Sequence, residues 1–191
     1  VKKLNDGNCW MMQNLRLTGS RTLTPSDSDV SSNWTLPATQ TSEGTIWPQP
    51  PSEAKSFQTG NTSYGVYYNW YAATAGTMIS DQEASSSICP AGWRLPSNTG
   101  DKSYYHLITE AYGYTTAPQL VSNLGFVYSG KYYYSAGTVS NQGLTGQFWS
   151  STAAFNSGYA YFLYVEESSS YVNPQGFDGK GFGNSVRCVS Q

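Results

Sequence analysis

Charged side chains are scarce in this sequence. Lys, Arg, Asp and Glu make up 12% of the 191 residues, and the formal net charge is −2, whereas about a quarter charged is usual for a soluble domain. The chain has no block of Lys and Arg, although nucleic acid and anionic lipid both require clustered basic side chains. We therefore predict that neither is the main partner.

Residues for catalysis or metal binding are equally sparse. His106 is the only histidine, and we find no Ser-His-Asp arrangement and no zinc-type cysteine spacing. Glu166 and Glu167 are adjacent, so on a strand they would point to opposite faces and could not form an acid–base pair. Together with Asp178 they fall short of the six or more oxygens that calcium needs. We interpret all three as solvated carboxylates and predict no enzyme activity, no metal and no cofactor.

Long apolar runs are also absent. None approaches the roughly 18 residues that span a bilayer, so we predict no direct membrane insertion. The chain opens at Val1 without Met, and we expect it to be a mature or trimmed form. Its length suits a single domain over residues 1–191.

Cysteine is limited to Cys9, Cys89 and Cys188. Three is an odd number, so at most one internal pair forms. A pair between Cys89 and Cys188 would close about 100 residues and stabilise the fold by up to about 4–5 kcal/mol. The alternative is three buried, reduced thiols in a cytosolic protein. The surface-like composition favours an extracellular or cell-surface location.

Tyrosine is abundant, with 16 residues, and the richest stretch is 153–184. There, 20 of the 32 residues are Tyr, Ser, Gly, Asn or Phe. Antibody-type paratopes use this chemistry, because Tyr gives a large contact area at low entropy cost while Ser, Gly and Asn adapt. We predict that this stretch is a ligand-binding region.

Local patterns predict short elements separated by irregular chain. Helical spacing occurs over 64–75 before Gly76, where a strand is also possible for the first half, and over 104–111 before Gly113. Residues 18–63 are rich in Ser, Thr and Pro, and we interpret them as a long loop excursion pinned by Trp34 and Trp47. Strands are expected over 9–12, 15–17, 123–128, 131–135, 146–150, 159–165 and 185–189. Within 159–165, Tyr159 and Tyr161 should share one face, with Tyr164 on the other.

Five segments in order resemble a known family. They are NCWMMQNLRL (8–17), YGVYYNWYAA (64–73), ICPAGWRLP (88–96), GQFWSST (146–152) and SVRCV (185–189). The chain is similar in these segments to the Fibrobacter succinogenes major paralogous domain family. The resemblance implies an α+β domain with a C-type-lectin-like fold, with two short helices, small antiparallel sheets and much irregular loop. It also implies a Cys89–Cys188 disulfide and leaves the state of Cys9 open.

The C-terminal stretch also resembles the variable region of diversity-generating retroelement target proteins. Those proteins display residues altered by adenine-directed mutagenesis, usually of Asn codons, on a C-type-lectin-like frame. Gln175 and Lys180 cannot arise from Asn codons in this way, so the resemblance predicts that both belong to the frame.

We therefore predict a non-catalytic, surface-displayed binding protein whose ligand is a protein or another macromolecule, such as a glycan, on a cell or virus. The candidate contact residues are Phe155, Asn156, Ser157, Tyr159, Tyr161, Tyr171, Phe177, Asp178, Phe182 and Asn184. Two alternatives remain open. One is a carbohydrate-binding domain of fixed specificity that uses Trp34, Trp47 and exposed Tyr rings as sugar platforms. The other is a structural cell-surface domain without a specific ligand.

Overall fold

The largest regular element is a three-stranded antiparallel sheet near the C-terminus. The computed structural model describes residues 1–38, 56–57, 64–77, 81–114, 116–155, 158–168 and 171–191. In this sheet β10 (Thr145–Ala153) pairs with β11 (Tyr159–Glu166), which pairs with β12 (Val172–Gly179). Phe148 lies opposite Leu163, and Trp149 lies opposite Phe162. The register places paired side chains on the same face of the sheet.

This sheet separates two hydrophobic cores. Trp149, Ala160 and Phe162 face the first core, which also contains Trp70, Leu95 and the cystine. Phe148, Leu163 and Val165 face the second, together with Trp10, Tyr104 and Leu120. Because both faces are covered, apolar residues are adjacent in both strands, at Phe148 and Trp149 in β10 and at Phe162 and Leu163 in β11.

A second sheet joins distant parts of the chain. Its order is β1 (Lys2–Lys3), β2 (Cys9–Trp10), β13 (Val189–Ser190) and β7 (Trp93–Arg94), so the last strand lies between earlier ones. Beside it, Cys89 and Cys188 form a buried disulfide with Cα atoms 6.0 Å apart. The implied pairing is thus confirmed, and Cys9 is a half-buried free thiol.

Three pairs of short strands complete the described sheets. β3 (Thr22–Leu23) pairs with β4 (Trp34–Thr35), β5 (Ser56–Phe57) with β6 (Tyr67–Tyr68), and β8 (Lys131–Tyr133) with β9 (Thr138–Ser140). Leu23, Val30 and Leu36 are buried in the first core. Residues 18–38 of the predicted loop excursion are therefore packed into the domain, whereas Trp47 lies outside the described residues.

The described residues contain three short helical segments. They are α1 (Trp70–Ala73), a π-helical turn (His106–Ala111) and α2 (Ala117–Leu124). The first two match the predicted helices. The third corrects the prediction of a strand over 123–128, because Thr116 and Gln119 form a capping box, Pro118 lies in the first turn and Gly125 ends the helix at φ 64°. The architecture is mixed α/β and rich in strands, which confirms the prediction of short helices combined with small antiparallel sheets.

Candidate functional site

Four aromatic rings meet at one end of the β11–β12 hairpin. We call Phe155, Tyr159, Tyr161 and Phe177 the aromatic cluster. The Phe177 ring centroid lies 5.0 Å from that of Phe155, 6.2 Å from that of Tyr159 and 6.4 Å from that of Tyr161. Phe155 and Tyr159 are stacked with 6.0 Å between centroids. These contacts hold each ring in a defined position.

Three of these rings are largely exposed to solvent. The exposed fraction is 59% for Phe155, 50% for Phe177 and 40% for Tyr159. Only six large apolar side chains are this exposed in the described part of the chain, so half of them lie in one cluster. Single exposed apolar residues are ordinary, whereas a contiguous exposed patch marks an interaction site.

The alternation of β11 explains how the cluster forms. Tyr159 and Tyr161 lie on the face of β11 that carries Leu163 and Val165 further along, and Phe177 pairs with Tyr161 across the hairpin. Leu163 and Val165 are covered by the second core, but the sheet extends beyond that core at its Tyr159 end. The predicted shared face of Tyr159 and Tyr161 is confirmed, and Tyr164 packs against the first core on the other face.

Asp178 and Phe182 lie apart from the aromatic cluster. Asp178 forms an ion pair with Lys131 Nζ at 2.5 Å, so the interpretation of Asp178 as a solvated carboxylate is wrong. The ring of Phe182 packs 5.1 Å from that of Tyr134, and Lys131 Nζ lies 4.1 Å above it. Both residues therefore bind the C-terminal segment to β8 and the residues that follow it.

The remaining predicted contact residues are scattered. Asn184 is fully buried and exchanges backbone hydrogen bonds with Tyr68, so its prediction as a ligand contact is wrong in this structure. Tyr171 is exposed, but it precedes β12 at the opposite end of the hairpin and contacts Tyr164. Asn156 and Ser157 lie outside the described residues.

The segments on either side of 153–184 are buried. Residues 148–151 and 185–189 are all inaccessible. Arg187 donates hydrogen bonds to the carbonyl oxygens of Leu124 and Gly125, and its guanidinium lies 4.1 Å from the Phe126 ring. Burial lowers the pKa of Arg187 to about 10. These segments hold the hairpin in place from both sides.

A pocket adjoins the aromatic cluster and shares Tyr159 with it. This tyrosine pocket has a volume of about 250 Å³ and is lined by Tyr71, Tyr134, Tyr159, Gly158, Gly179, Gly181 and Lys180. Tyr71 comes from α1 and Tyr134 follows β8, so three distant segments form it. No sequence pattern predicts this assembly, because the helical spacing around Tyr71 indicates only that its ring packs against the rest of the domain.

Lys180 forms part of the pocket wall but is turned inward. Only 1% of its surface is exposed, and its ammonium lies 4.3 Å from the centre of the buried Trp70 ring. Burial lowers the pKa of Lys180 to about 8, although the charge of Asp81 partly opposes the shift. The prediction that Lys180 belongs to the frame agrees with this position.

Other candidate groups have structural surroundings. Trp34 packs against the first core, next to Gly76, which does not favour an open sugar platform. The imidazole Nδ1 of His106 lies 2.6 Å from Glu110 on the surface of the π-helical turn, and this hydrogen bond raises the pKa of His106.

Within the described ranges, no three His, Cys, Asp or Glu side chains are grouped to hold a metal ion, and no helix is long and apolar enough to cross a membrane.

Comparison of the chain with protein-family models, with curated proteins and with solved structures finds no match in any of the three.

Proposed function

We propose that this chain is a non-catalytic binding protein with a C-type-lectin-like fold, displayed outside the cell or on its surface. Its ligand is a macromolecule on another cell or on a virus. The observation that carries the proposal is the exposed aromatic cluster, in which the rings of Phe155, Tyr159 and Phe177 contact one another on the protein surface.

The energetics of binding favour such a cluster. Most of the binding energy of an interface comes from a few residues, among which large aromatic side chains are prominent. Ring contacts within the aromatic cluster order the side chains before a ligand arrives, which reduces the entropy lost on binding. Tyr159 and Tyr161 add hydroxyl groups to the surface, as in antibody-type paratopes.

The division between buried and exposed residues supports a variable binding face. Residues 148–151 and 185–189 are buried, whereas the four rings of the aromatic cluster come from within 153–184. Lys180, which adenine-directed changes of Asn codons cannot produce, is buried. We propose that 153–184 is the diversified region of a retroelement target protein.

The location outside the cell is supported by the disulfide. Cys89 and Cys188 are bonded in the core, and disulfides of this kind persist mainly in oxidising compartments.

A binding experiment with Phe177→Ala tests the proposal. Labelled tetramers of the chain are incubated with a panel of bacterial cells and purified bacteriophages, and bound label is counted. We expect the parent chain to bind a subset of the panel and Phe177→Ala to bind at least about tenfold more weakly. Because Phe177 is half exposed, its free energy of unfolding should change by no more than about 1 kcal/mol.

Leu144→Ala is the matched control, because Leu144 is 54% exposed and lies outside the aromatic cluster. It should bind like the parent chain. Equal binding of all three chains, or binding to nothing in the panel, would contradict the proposal. A collapse of the unfolding midpoint in Phe177→Ala would mean that this ring belongs to the core.

A further inference from the structure

A second pocket, formed without any residue of 153–184, brings together side chains of opposite charge. It has a volume of about 350 Å³, and Asp29, Arg94 and Lys102 are its charged lining residues. They come from three separate segments of the chain. Asp29 lies between β3 and β4, Arg94 lies in β7, and Lys102 precedes the π-helical turn. We call this the charged pocket.

The surrounding backbone holds these three side chains in a fixed arrangement. The N–H of Asp29 donates to the carbonyl oxygen of Cys89, a member of the disulfide, at 2.8 Å. The strand that carries Arg94 pairs with β13, and Lys102 Nζ donates to a carbonyl oxygen of the same strand at 3.0 Å. A ligand would therefore meet groups that are already in position, which reduces the entropy lost on binding.

The two cations of the charged pocket have hydrogen-bond donors to spare. An ammonium has three donors and a guanidinium has five. Lys102 uses one of its donors, on Ser190. Arg94 donates from Nε to the carbonyl oxygen of Leu95 at 3.3 Å and forms an ion pair with Glu83. Neither cation makes another hydrogen bond within the described ranges. Two adjacent cations with spare donors favour a carboxylate ligand, because charge-assisted hydrogen bonds are the strong ones.

Asp29 has the opposite requirement. Its carboxylate accepts one hydrogen bond from Ser87 Oγ and one from Gln191 Nε2, both at 2.7 Å, although a carboxylate has about four acceptor positions. Burial raises the pKa of Asp29, and these hydrogen bonds and the charge of Arg94 only partly oppose the shift. The charged form is therefore incompletely compensated, and a cationic group of a ligand would stabilise it.

A small ligand that carries both charges suits the charged pocket best. A simple anion would be repelled by Asp29, and a simple cation would be repelled by Arg94 and Lys102. The volume of about 350 Å³ lies at the lower end of the roughly 300–1,000 Å³ of ligand pockets, which suits a small molecule.

We propose that the charged pocket binds a zwitterion of the class of the free α-amino acids. The carboxylate of the ligand contacts Arg94 and Lys102, and its ammonium group contacts Asp29. This site goes beyond the proposed function, because the charged pocket shares no residue with the aromatic cluster.

A panel of the common α-amino acids tests this proposal, with each added at about 10 mM and neutral pH. For a dissociation constant near 1 mM, a bound amino acid should raise the unfolding midpoint by about 3–5 °C. Isothermal titration calorimetry then compares the best ligand with its N-acetyl derivative, which lacks the ammonium group, and with its amide, which lacks the carboxylate. Each should bind at least about tenfold more weakly, because a hydrogen-bonded charge is lost.

Two variants assign the contacts to individual side chains. Lys102→Met should weaken binding of the amino acid about tenfold and leave the affinity for the amide unchanged, since the amide has no carboxylate. Asp29→Asn should weaken binding of the amino acid and leave the affinity for the N-acetyl derivative unchanged. Lys3→Met is the matched control, because Lys3 is exposed on β1 and lies outside the charged pocket. It should bind the amino acid like the parent chain.

The panel uses the parent chain, so the proposal stays testable if Asp29→Asn fails to fold. No rise in the midpoint with any amino acid, or an equal rise with sodium acetate, would overturn it. Equal affinity of Lys102→Met and the parent chain for the amino acid would also overturn it. Phe177→Ala should bind the amino acid like the parent chain, so the charged pocket and the aromatic cluster can fail separately.

Discussion

Lys180 illustrates how a single charged residue can be bound into the core of this protein. Its ammonium lies over the ring of Trp70, and burial lowers its pKa from 10.5 to about 8. In the unfolded chain the pKa returns to its ordinary value. Between these two pKa values the unfolded state therefore binds more protons than the folded state, and stability rises with pH.

We expect the free energy of unfolding to rise by on the order of 2 kcal/mol between pH 8 and pH 10. Urea unfolding at several pH values measures it, and Lys180→Met should remove most of the rise, leaving a smaller contribution near pH 10 from Arg187, whose pKa is lowered to about 10. Above about pH 10 the titration of the buried Tyr67 acts in the opposite direction. Burial raises the pKa of Tyr67 to about 12, so the folded state then binds more protons than the unfolded state and stability falls as the pH rises. A rise of equal size in Lys180→Met would show that another group titrates.

For single residues, the sequence predicted which side-chain types would form contacts better than it predicted which side chains would be exposed. Composition alone pointed to Phe155, Tyr159, Tyr161 and Phe177, and the structure brings these four together. The same reasoning also selected Asn184, which is buried, because residue type does not reveal which side of a turn faces the core. The sequence could not identify Tyr71 as a pocket residue, because its neighbours in the tyrosine pocket come from distant segments of the chain.

Among the secondary-structure elements, β12 shows how tertiary pairing can override local preference. Its sequence VNPQGFDG contains Pro and two Gly, which are poor strand formers. It forms because β11 offers an antiparallel partner along its length, and this information is not local. In contrast, the start of α2 was readable, since Thr116 and Gln119 have capping-box spacing and Pro118 suits a first turn.

The outer edge of β12 is poorly suited to pairing with another strand. Pro174 has no N–H group, the N–H of Gln175 donates to Asn173 Oδ1 at 2.9 Å, and the N–H of Gly179 donates to Asp178 Oδ1 at 2.8 Å. Edge strands of natural sheets carry such features because open edges promote aggregation. We therefore expect the proposed binding face to use side chains, and not this strand edge, for its contacts.

Restoring the edge donors should promote self-association. We expect the double variant Asn173→Ala, Pro174→Val to associate at lower concentration than the parent chain, as measured by light scattering during size-exclusion chromatography. Ser122→Val, which adds an apolar side chain on the exposed surface of α2, is the control and should behave like the parent. An unchanged elution profile of the double variant would show that Pro174 does not protect the edge.

For the whole molecule, the aromatic cluster lies at one end of the sheet, on the face that the second core covers further along. For a retroelement target, this arrangement predicts which codons would differ between the gene and its template copy. We expect a near-copy of the DNA for 153–184, beside a reverse transcriptase gene, with adenine differences at codons 155, 159, 161 and 177. Sequencing the neighbourhood of the gene measures this. Differences at the codons of the core residues Phe162, Leu163 and Val165, or the absence of any copy, would contradict diversification.

The position of β13 between β2 and β7 has a consequence for how the protein matures. Residues 189–190 follow the hairpin in synthesis, yet they occupy the inside of a sheet whose other strands come from the first half of the chain. Such long-range pairing is slow to form, and in the folded chain it accompanies the approach of Cys188, the residue before β13, to Cys89. A hairpin sequence that blocks this closure leaves both thiols unjoined. In the proposed binding protein, such a chain would be lost before it met a ligand, so selection for folding would precede selection for affinity.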